Sequence, residues 1–242
     1  MAIRVLVNGA FGKMGQEVVK ALENNADFQL VGKTGREDDL ASGIRTSKAQ
    51  VVVDFTRPDA AYANTRIIIE AQAHPVIGTT GLSADQILEL QTLCAKKKLG
   101  GIIAPNFSLG GILMMQLAQH VARYFTPVEI IELHHEKKKD APSGTAIKTA
   151  EMIVQHRSTA FTVADTEMPS LARGAQHFGI PIHSVRLPGI LAAQEVIFGS
   201  PGETLRISHN TLHREAFMPG VLLACKKVLE LKQLVYGLEH LL

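Results

Sequence analysis

Short apolar runs alternate with segments of helical periodicity through residues 1–104. The run at 3–7 is rich in β-branched residues, and the segment 15–22 then spaces its apolar residues as a helix does. The alternation continues with strands predicted at 28–31, 50–55, 75–77 and 101–104 and helices predicted at 60–73 and 83–98. Strands that alternate with helices form parallel sheets covered on both faces. The pattern therefore predicts an α/β domain built on a Rossmann-like, doubly wound parallel sheet.

The pattern changes in the second half of the chain. Helices are predicted at 111–124 and 145–156, and strands at 128–133, 183–187, 193–198 and 204–208. Pro-Gly and Gly-Ser turn signals divide the last of these strands. We therefore expect a second α+β domain with a mixed or antiparallel sheet. The irregular stretch 159–179 is predicted to be a mobile loop, and the tail 216–242 has apolar residues at helical spacing.

Composition argues against several classes of function. The chain has 242 residues, 46% hydrophobic and 20% charged, which is ordinary for one large globular domain or two small ones. A net charge of +2 provides no strong field, and aromatic residues make up only 5%, so a nucleic-acid partner is not expected. No apolar run approaches the roughly 18 residues of a membrane span, so no membrane association is expected.

Cysteine usage and the start of the chain bear on the compartment. Cys94 and Cys225 stand far apart, without the spacing of a disulfide framework or a thiolate zinc site. The chain runs straight into its first apolar strand, and no cleavage-site pattern follows. We therefore expect a cytoplasmic protein, in a reducing compartment and without a bound metal.

Glycines at spacings of three and three follow the first strand and open the first helix. Gly9, Gly12 and Gly15 permit positive φ and close backbone approach, while the helix start offers free N–H groups to a pyrophosphate. The spacing departs from the usual G-x-G-x-x-G. The context favours a dinucleotide-binding turn, and the alternative is a tight turn with no ligand.

The segment after the second predicted strand offers cations rather than a carboxylate. In dinucleotide folds an acidic residue about twenty positions after the glycine turn takes the ribose hydroxyls, and none is apparent here. The chain instead reads Gly-Lys-Thr-Gly-Arg from Gly32 to Arg36. Such cations suit a 2′-phosphate, and the alternative is a solvated basic loop.

The polar stretch 129–146 combines titratable groups with a helix start. His134 and His135 are followed by lysines, which places possible proton donors near fixed positive charge. The run from Pro142 to Thr145 precedes a helix and offers hydroxyl and N–H groups to a carboxylate. The alternatives are a solvated charge run and ordinary helix caps. A metal site is disfavoured, because adjacent residues on a strand point to opposite faces.

This stretch resembles the signature of the 4-hydroxy-tetrahydrodipicolinate reductase family. The signature reads Glu-Ile-x-Glu-x-His, three residues, then Lys-x-Asp-x-Pro-Ser-Gly-Thr-Ala, and the chain agrees at every fixed place. The similarity extends over nearly the whole chain, with further matches at 9–15, 54–56, 78–81 and 106–108 and a weaker one at 203–214.

The resemblance implies a domain division and a reaction. Residues 1–108 and 215–242 would form the dinucleotide-binding domain, and 109–214 a domain for substrate binding and assembly into a homotetramer. Members of the family reduce the cyclic condensation product of aspartate semialdehyde and pyruvate, a small dicarboxylate, with loss of water and hydride from NADH or NADPH.

The resemblance also implies roles for individual residues. His134 would donate a proton, Lys138 would stabilise charge on the substrate, and His135, Gly144 and Thr145 would hold its carboxylates. The residues expected at the cofactor are Gly9, Ala10, Phe11, Gly12, Lys13, Met14, Arg36, Gly78, Thr79, Thr80, Ala104, Pro105, Asn106 and Phe107.

One departure from the family pattern bears on the cofactor. Arg36 matches an arginine that can meet a 2′-phosphate, but Gly35 replaces its usual acidic neighbour. We therefore expect NADPH to be preferred and NADH to be a possible second cofactor, with Lys13 and Lys33 adding positive charge. The alternatives are another two-domain nicotinamide-dependent amino-acid dehydrogenase and a non-catalytic NADPH sensor.

Overall fold

The computed structural model describes residues 1–157 and 171–242, which form two compact units. One unit comprises Met1–Leu109 with Arg214–Leu242, and the other is Gly110–His213. Each boundary lies one residue from the expected domain boundary, and the roles assigned to the two domains remain predictions. Residues 159–170 of the predicted mobile loop lie outside the described residues.

Helices and strands alternate along most of the chain. The first part contains β1 (Ile3–Asn8), α1 (Lys13–Glu23), β2 (Phe28–Thr34), α2 (Leu40–Ser47), β3 (Val51–Asp54), α3 (Pro58–Glu70), β4 (His74–Ile77), α4 (Ala84–Lys97) and β5 (Gly101–Ile103). The second part contains α5 (Leu109–Val121), β6 (Val128–His134), α6 (Gly144–His156), β7 (Ala175–His177), β8 (Ile180–Arg186), β9 (Ala192–Ser200), β10 (Glu203–Thr211), α7 (Met218–Lys227) and β11 (Leu234–Tyr236).

The first unit is built on a six-stranded parallel sheet with the order β11-β5-β4-β3-β1-β2. The runs Val5–Val7 and Val51–Val53 in its central strands are fully buried. Strands covered on both faces read as continuous apolar runs rather than alternating ones, because neither side meets water. The predicted doubly wound parallel sheet is therefore confirmed.

The second unit contains a five-stranded mixed sheet with the order β10-β9-β6-β8-β7. β6 runs parallel to β8 and antiparallel to β9. Along β6, Val128, Ile130 and Glu132 are buried, and the residues between them are half-buried. One face of the sheet thus forms a core with α6, and the predicted mixed sheet of an α+β domain is confirmed.

The sequence pattern failed to predict several short helices and strands. The tail was predicted to continue with helical spacing, but α7 ends at Lys227 and β11 then pairs with β5. α2 fills the connection after Arg36, and β7 lies within the stretch predicted to be a loop. Strands of three residues and helices of two turns show too few periods for their pattern to be read, so only pairing across the sheet defines them.

Metal ligands, membrane-spanning helices and reactive cysteines would each indicate other functions. Among the described residues no cluster of three histidine, cysteine or acidic side chains is arranged to hold a metal ion. None of the described helices combines the length and apolar character needed to cross a membrane. Cys94 and Cys225 are buried free thiols.

Candidate active site

The turn after β1 requires glycine at two of its three spaced positions. Gly9 has a φ of 77°, and a Cβ atom there would lie 2.4 Å from the carbonyl oxygen of Phe55. A Cβ atom on Gly15 would lie 2.1 Å from the carbonyl oxygen of Gly9, so α1 packs directly on the turn. Gly12 precedes α1 without a side-chain cap, which leaves the first N–H groups of the helix available. The turn therefore fits a pyrophosphate.

A buried carboxylate holds the ends of β1, β3 and β4 together. Asp54 is fully buried, and its Oδ2 accepts from Asn8 Nδ2 at 2.7 Å and from Asn64 Nδ2 at 3.0 Å. Its Oδ1 accepts from the hydroxyls of Thr56 and Thr79, both at 2.7 Å. These neutral donors replace the water that the carboxylate lost on burial. The network ties the glycine turn to the loop after β4, a role that the sequence did not predict.

The residues expected on the nicotinamide side follow β4 and β5, which are neighbours in the sheet. Gly78 lies against Phe55, where a Cβ atom would come within 2.1 Å of the ring. The rings of Phe55 and Phe107 are 5.8 Å apart, so the two segments pack together. Of the other expected cofactor residues around these turns, Ala10, Thr79 and Ala104 are buried, Met14 and Asn106 are half-buried, and Phe11, Gly12, Lys13, Thr80 and Pro105 are exposed.

β2 is longer than the sequence predicted. It runs to Thr34, so Gly32 and Lys33 lie within the strand rather than in the turn after it. Lys33 Nζ pairs with Glu23 Oε1 at 3.0 Å, so this lysine, one of the cations expected at the cofactor, already has a partner. The turn itself begins at Gly35.

That turn, from Gly35 to Asp39, carries one exposed cation, Arg36, and three exposed carboxylates, those of Glu37, Asp38 and Asp39. Arg36 is exposed and forms no ion pair with any residue that the structure describes. Asp38 Oδ2 accepts from the Gly35 N–H at 2.7 Å, a contact that the sequence pattern did not predict. A Cβ atom on Gly35 would lie 2.9 Å from Cδ2 of Phe11. Phe11 thus occupies the space that a side chain at position 35 would need, and the carboxylate that contacts Gly35 belongs to Asp38, three residues later.

The predicted catalytic loop joins β6 to α6 within the second unit. His134 ends β6, and Ser143 caps α6 by accepting from the Ala146 N–H at 3.2 Å. Lys138 lies between them in sequence and donates to both carboxylate oxygens of Asp140, at 2.8 and 2.7 Å. This contact with Lys138 holds the pKa of the Asp140 carboxyl below its usual value.

The start of α6 leaves open space beside its N–H groups. Gly144 is exposed, and a Cβ atom built there would meet no described atom within 4 Å. Thr145 follows in the first turn and is half-buried, as is His135 at the other end of the loop. Because a helix N-terminus attracts anions, the predicted carboxylate seat has both the charge preference and the room for its ligand.

A buried ion pair contacts His134. Glu132 is fully buried, and its two oxygens accept from the Arg186 guanidinium at 2.9 and 2.7 Å. Glu132 Oε2 also lies 2.5 Å from His134 Nδ1. Burial alone would raise the pKa of Glu132, but hydrogen bonds from His134, Arg186 and Ser184 outweigh it and lower that pKa to about 2.

Arg186 connects the two predicted catalytic residues. Its Nη2 also donates to the carbonyl oxygen of Asp140 at 2.7 Å, so one series of contacts runs from His134 through Glu132, Arg186 and Asp140 to Lys138. The sequence analysis assigned no role to Glu132 or Arg186. The only local signal was a carboxylate at a core-facing position of an alternating strand.

Comparison with known proteins agrees with this arrangement. The family model described as dihydrodipicolinate reductase, N-terminus, matches residues 3–107, and the C-terminus model matches residues 110–242. Relatives named 4-hydroxy-tetrahydrodipicolinate reductase from Legionella pneumophila (strain Paris) and Coxiella burnetii are 57% and 54% identical over all of both chains. The structure of dipicolinate-bound dihydrodipicolinate reductase from Paenisporosarcina sp. TG-14 is 42% identical, with a TM-score of 0.90 over all of both chains.

These matches cover both units and are not confined to the loop after β6. They confirm the resemblance that the polar stretch 129–146 first indicated. The chain therefore belongs to the dihydrodipicolinate reductase family of nicotinamide-dependent reductases.

Proposed function

We propose that the chain reduces 4-hydroxy-tetrahydrodipicolinate to tetrahydrodipicolinate, a step of diaminopimelate and lysine biosynthesis. The nicotinamide cofactor supplies a hydride when bound, one proton is taken up, and the hydroxyl group leaves as water. The observation that carries the proposal is the loop after β6. His134 in this loop is paired with a buried carboxylate, and Lys138 follows it in sequence. The loop then leads to the start of α6, where Gly144 leaves open space. Full-length relatives carry the name of this activity.

The loop residues divide the chemistry among them. His134 donates the proton, and Lys138 stabilises the negative charge of the substrate during reduction. His135, Gly144 and Thr145 hold the carboxylates at the start of α6. A relative described as bound to dipicolinate, a planar dicarboxylate, supports a ligand of this class. In the first unit, the segments 9–14, 78–80 and 104–107 hold the cofactor.

One coupled assay tests the activity. A synthase that condenses pyruvate with aspartate semialdehyde supplies the substrate, and loss of NADPH is followed at its absorbance band. We expect NADPH loss only when both the synthase and this protein are present. Cofactor binding without turnover would favour the NADPH sensor, and turnover with an amino acid and its keto acid would favour the amino-acid dehydrogenase.

A preference for NADPH over NADH is part of the proposal. Arg36 is exposed and unpaired among the described residues, so its guanidinium is available to a 2′-phosphate. Glu37, Asp38 and Asp39 carry opposing charge in the same turn, but the carboxylates of Asp38 and Asp39 already accept from the N–H groups of Gly35 and Ser42. A charge-assisted contact is worth about 1.5 kcal/mol or more, which corresponds to about tenfold in affinity.

Two matched variants test that preference. We expect Arg36→Ala to lower kcat/KM for NADPH about tenfold and to leave kcat/KM for NADH nearly unchanged. Asp38→Asn should act in the opposite sense and favour NADPH further, because it removes a negative charge from the same turn. A wild-type preference for NADH would refute this part of the proposal.

A homotetramer assembled through the second sheet is also proposed. The face of this sheet opposite α6 carries Ile131, Val185 and Ile197, which are half-buried in the single chain. Apolar side chains that share one face of a sheet are stabilised when a second copy covers them. The dimensions of the sheet, with nine-residue strands at β9 and β10, provide an extended surface for that contact.

A cytoplasmic location completes the proposal. Cys94 and Cys225 are free thiols, and burial raises the pKa of each to about 12. Thiols of this kind stay protonated and unreactive at neutral pH, which suits a reducing compartment.

A further inference from the structure

Glu132 is a fully buried carboxylate, and each of its two oxygens has two hydrogen-bond partners. Its Oε1 accepts from Arg186 Nη2 at 2.7 Å and from the Ser143 N–H at 3.2 Å. Its Oε2 accepts from Arg186 Nη1 at 2.9 Å and lies 2.5 Å from His134 Nδ1. A buried charge without such partners would strongly destabilise the fold, so Glu132, Arg186 and His134 depend on one another.

The charge on Glu132 decides which nitrogen of His134 carries the fixed proton. An ionised carboxylate can only accept hydrogen bonds, and hydrogen bonds from His134, Arg186 and Ser184 hold the pKa of Glu132 at about 2. Nδ1 of His134 must therefore be the donor. The proton that His134 can exchange is then the one on Nε2.

We infer that Glu132, oriented by Arg186, is a positioning residue that fixes the ring and the tautomer of His134 so that Nε2 delivers the proton to the substrate. The inference rests on the proposed function and deepens it. When Nε2 gives up its proton, the ring returns to the neutral form with hydrogen on Nδ1, and Glu132 stays ionised throughout. The Ser143 contact lets the same carboxylate hold the start of α6, where the substrate carboxylate is expected.

The chain contains a matched control on the same strand. Glu129, on the opposite face of β6, also contacts an arginine and a histidine, namely Arg173 and His183. Glu129 is partly exposed, whereas Glu132 is fully buried. A Glu129→Gln variant therefore removes a similar contact set without touching His134. Because Glu129 lies opposite Ile197 on the face proposed to pair, light scattering must show that this variant keeps the mass of the wild type.

A double-mutant cycle separates positioning from general stabilisation. We expect Glu132→Gln to lower kcat about tenfold or more with little change in the dissociation constant of NADPH, and Glu129→Gln to change kcat less than about twofold. In the His134→Gln background, Glu132→Gln should change kcat less than about threefold, because its partner is already gone. Equal effects in both backgrounds would overturn the inference.

A measurement on the protein alone gives an independent answer. Side-chain nitrogen NMR of the neutral His134 ring should show hydrogen on Nδ1 in the wild type and in Glu129→Gln. In Glu132→Gln, the amide oxygen should take the place of Oε1, which accepts from both Arg186 Nη2 and the Ser143 N–H. The amide NH₂ then faces His134, and the hydrogen should move to Nε2.

The two measurements also separate the inference from the proposed function. Hydrogen on Nε2 in the wild type would refute the inference, and that spectrum needs neither turnover nor a folded variant. Absence of turnover in the wild type, with hydrogen on Nδ1, would instead refute the proposed function.

Discussion

His134 and Lys138 are both held by carboxylates, but in different surroundings. Glu132, which holds His134, is fully buried, whereas the side chain of Asp140, which holds Lys138, is 62% exposed. An exposed ion pair is worth about 1 kcal/mol or less, while removing one partner of a buried pair costs about 3–5 kcal/mol. We therefore expect Lys138 to leave Asp140 for negative charge on the substrate, and His134 to stay fixed.

The two loop residues should affect turnover rather than cofactor binding. We expect His134→Gln and Lys138→Ala each to lower kcat by about 10² or more, because positioned acids and cations act mainly in the transition state. Titration with NADPH by fluorescence should give a nearly unchanged dissociation constant. Normal turnover in either variant would remove that residue from the mechanism.

Gly144 offers a test in which stability and substrate binding move in opposite directions. A Cβ atom there meets nothing within 4 Å and lies in the first turn of α6, so Gly144→Ala should keep or slightly raise the melting temperature. The methyl group would fill space kept for the ligand, so we expect KM for the substrate to rise about tenfold.

Gly199 is the matched control for this substitution. It lies in β9, and a Cβ atom built there also meets nothing within 4 Å. Gly199→Ala should leave KM for the substrate unchanged. An unaltered KM in Gly144→Ala as well would show that position 144 is not part of the carboxylate seat.

At the scale of the element, β6 shows how register creates the site. Its alternation places Val128, Ile130 and Glu132 on the core face, so a charge occupies a position where the pattern calls for an apolar side chain. The neighbouring strand β8 supplies the compensating cation, because the parallel register sets Arg186 opposite His134. A slip of one residue would turn Arg186 to the other face and leave Glu132 unpaired.

The ion pair of Glu132 and Arg186 should make the free energy of unfolding depend on pH below about pH 5. The pKa of Glu132 is about 2 in the folded chain, against an ordinary value of 4.5. A lowered carboxyl pKa stabilises the fold above the ordinary value, and that stabilisation is lost as pH falls from 4.5 toward 2. We expect the difference in unfolding free energy between wild type and Glu132→Gln to shrink by about 2 kcal/mol from pH 5 to pH 3.

Urea unfolding at several pH values measures this difference. Added salt should leave it nearly unchanged, because Glu132 is buried and its contacts are poorly screened. A difference that stayed constant across the range would mean that the pKa of Glu132 is not lowered in the folded chain.

At the scale of the whole molecule, the chain returns to its first unit to complete the sheet. After the second unit, α7 and β11 rejoin residues 1–109, and Leu234 of β11 pairs with Gly101 of β5. The second unit is therefore an insertion whose two ends enter the same body. In the part of the chain that the structure describes, Ile131, Val185 and Ile197 remain half-buried on one face of its sheet, and the proposed tetramer uses this face.

Light scattering should give the mass of four chains at micromolar concentration. We expect Ile197→Glu to reduce that mass, because a charge would replace an apolar side chain on the face proposed to pair. Leu88→Glu is the control, since Leu88 is 64% exposed on α4 in the other unit and should leave the mass unchanged. A fully active wild-type monomer would refute the proposed assembly.

Elements with enough periods to show their pattern could be predicted from the residues alone, as could the motifs that are local in the chain. The long helices, the fully buried strands, the glycine turn after β1 and the loop after β6 all belong to this class, because each is encoded by neighbours within about twenty residues. The family signature was readable for the same reason.

Contacts between distant residues could not be predicted in this way and were found only in the folded chain. Glu132 and Arg186 are separated by 54 positions, and Asp54 and Asn8 by 46. β11, with three residues, exists because β5 is there to pair with it. Such contacts depend on strand order and register, which are set by packing over the whole sheet, and no local pattern records them.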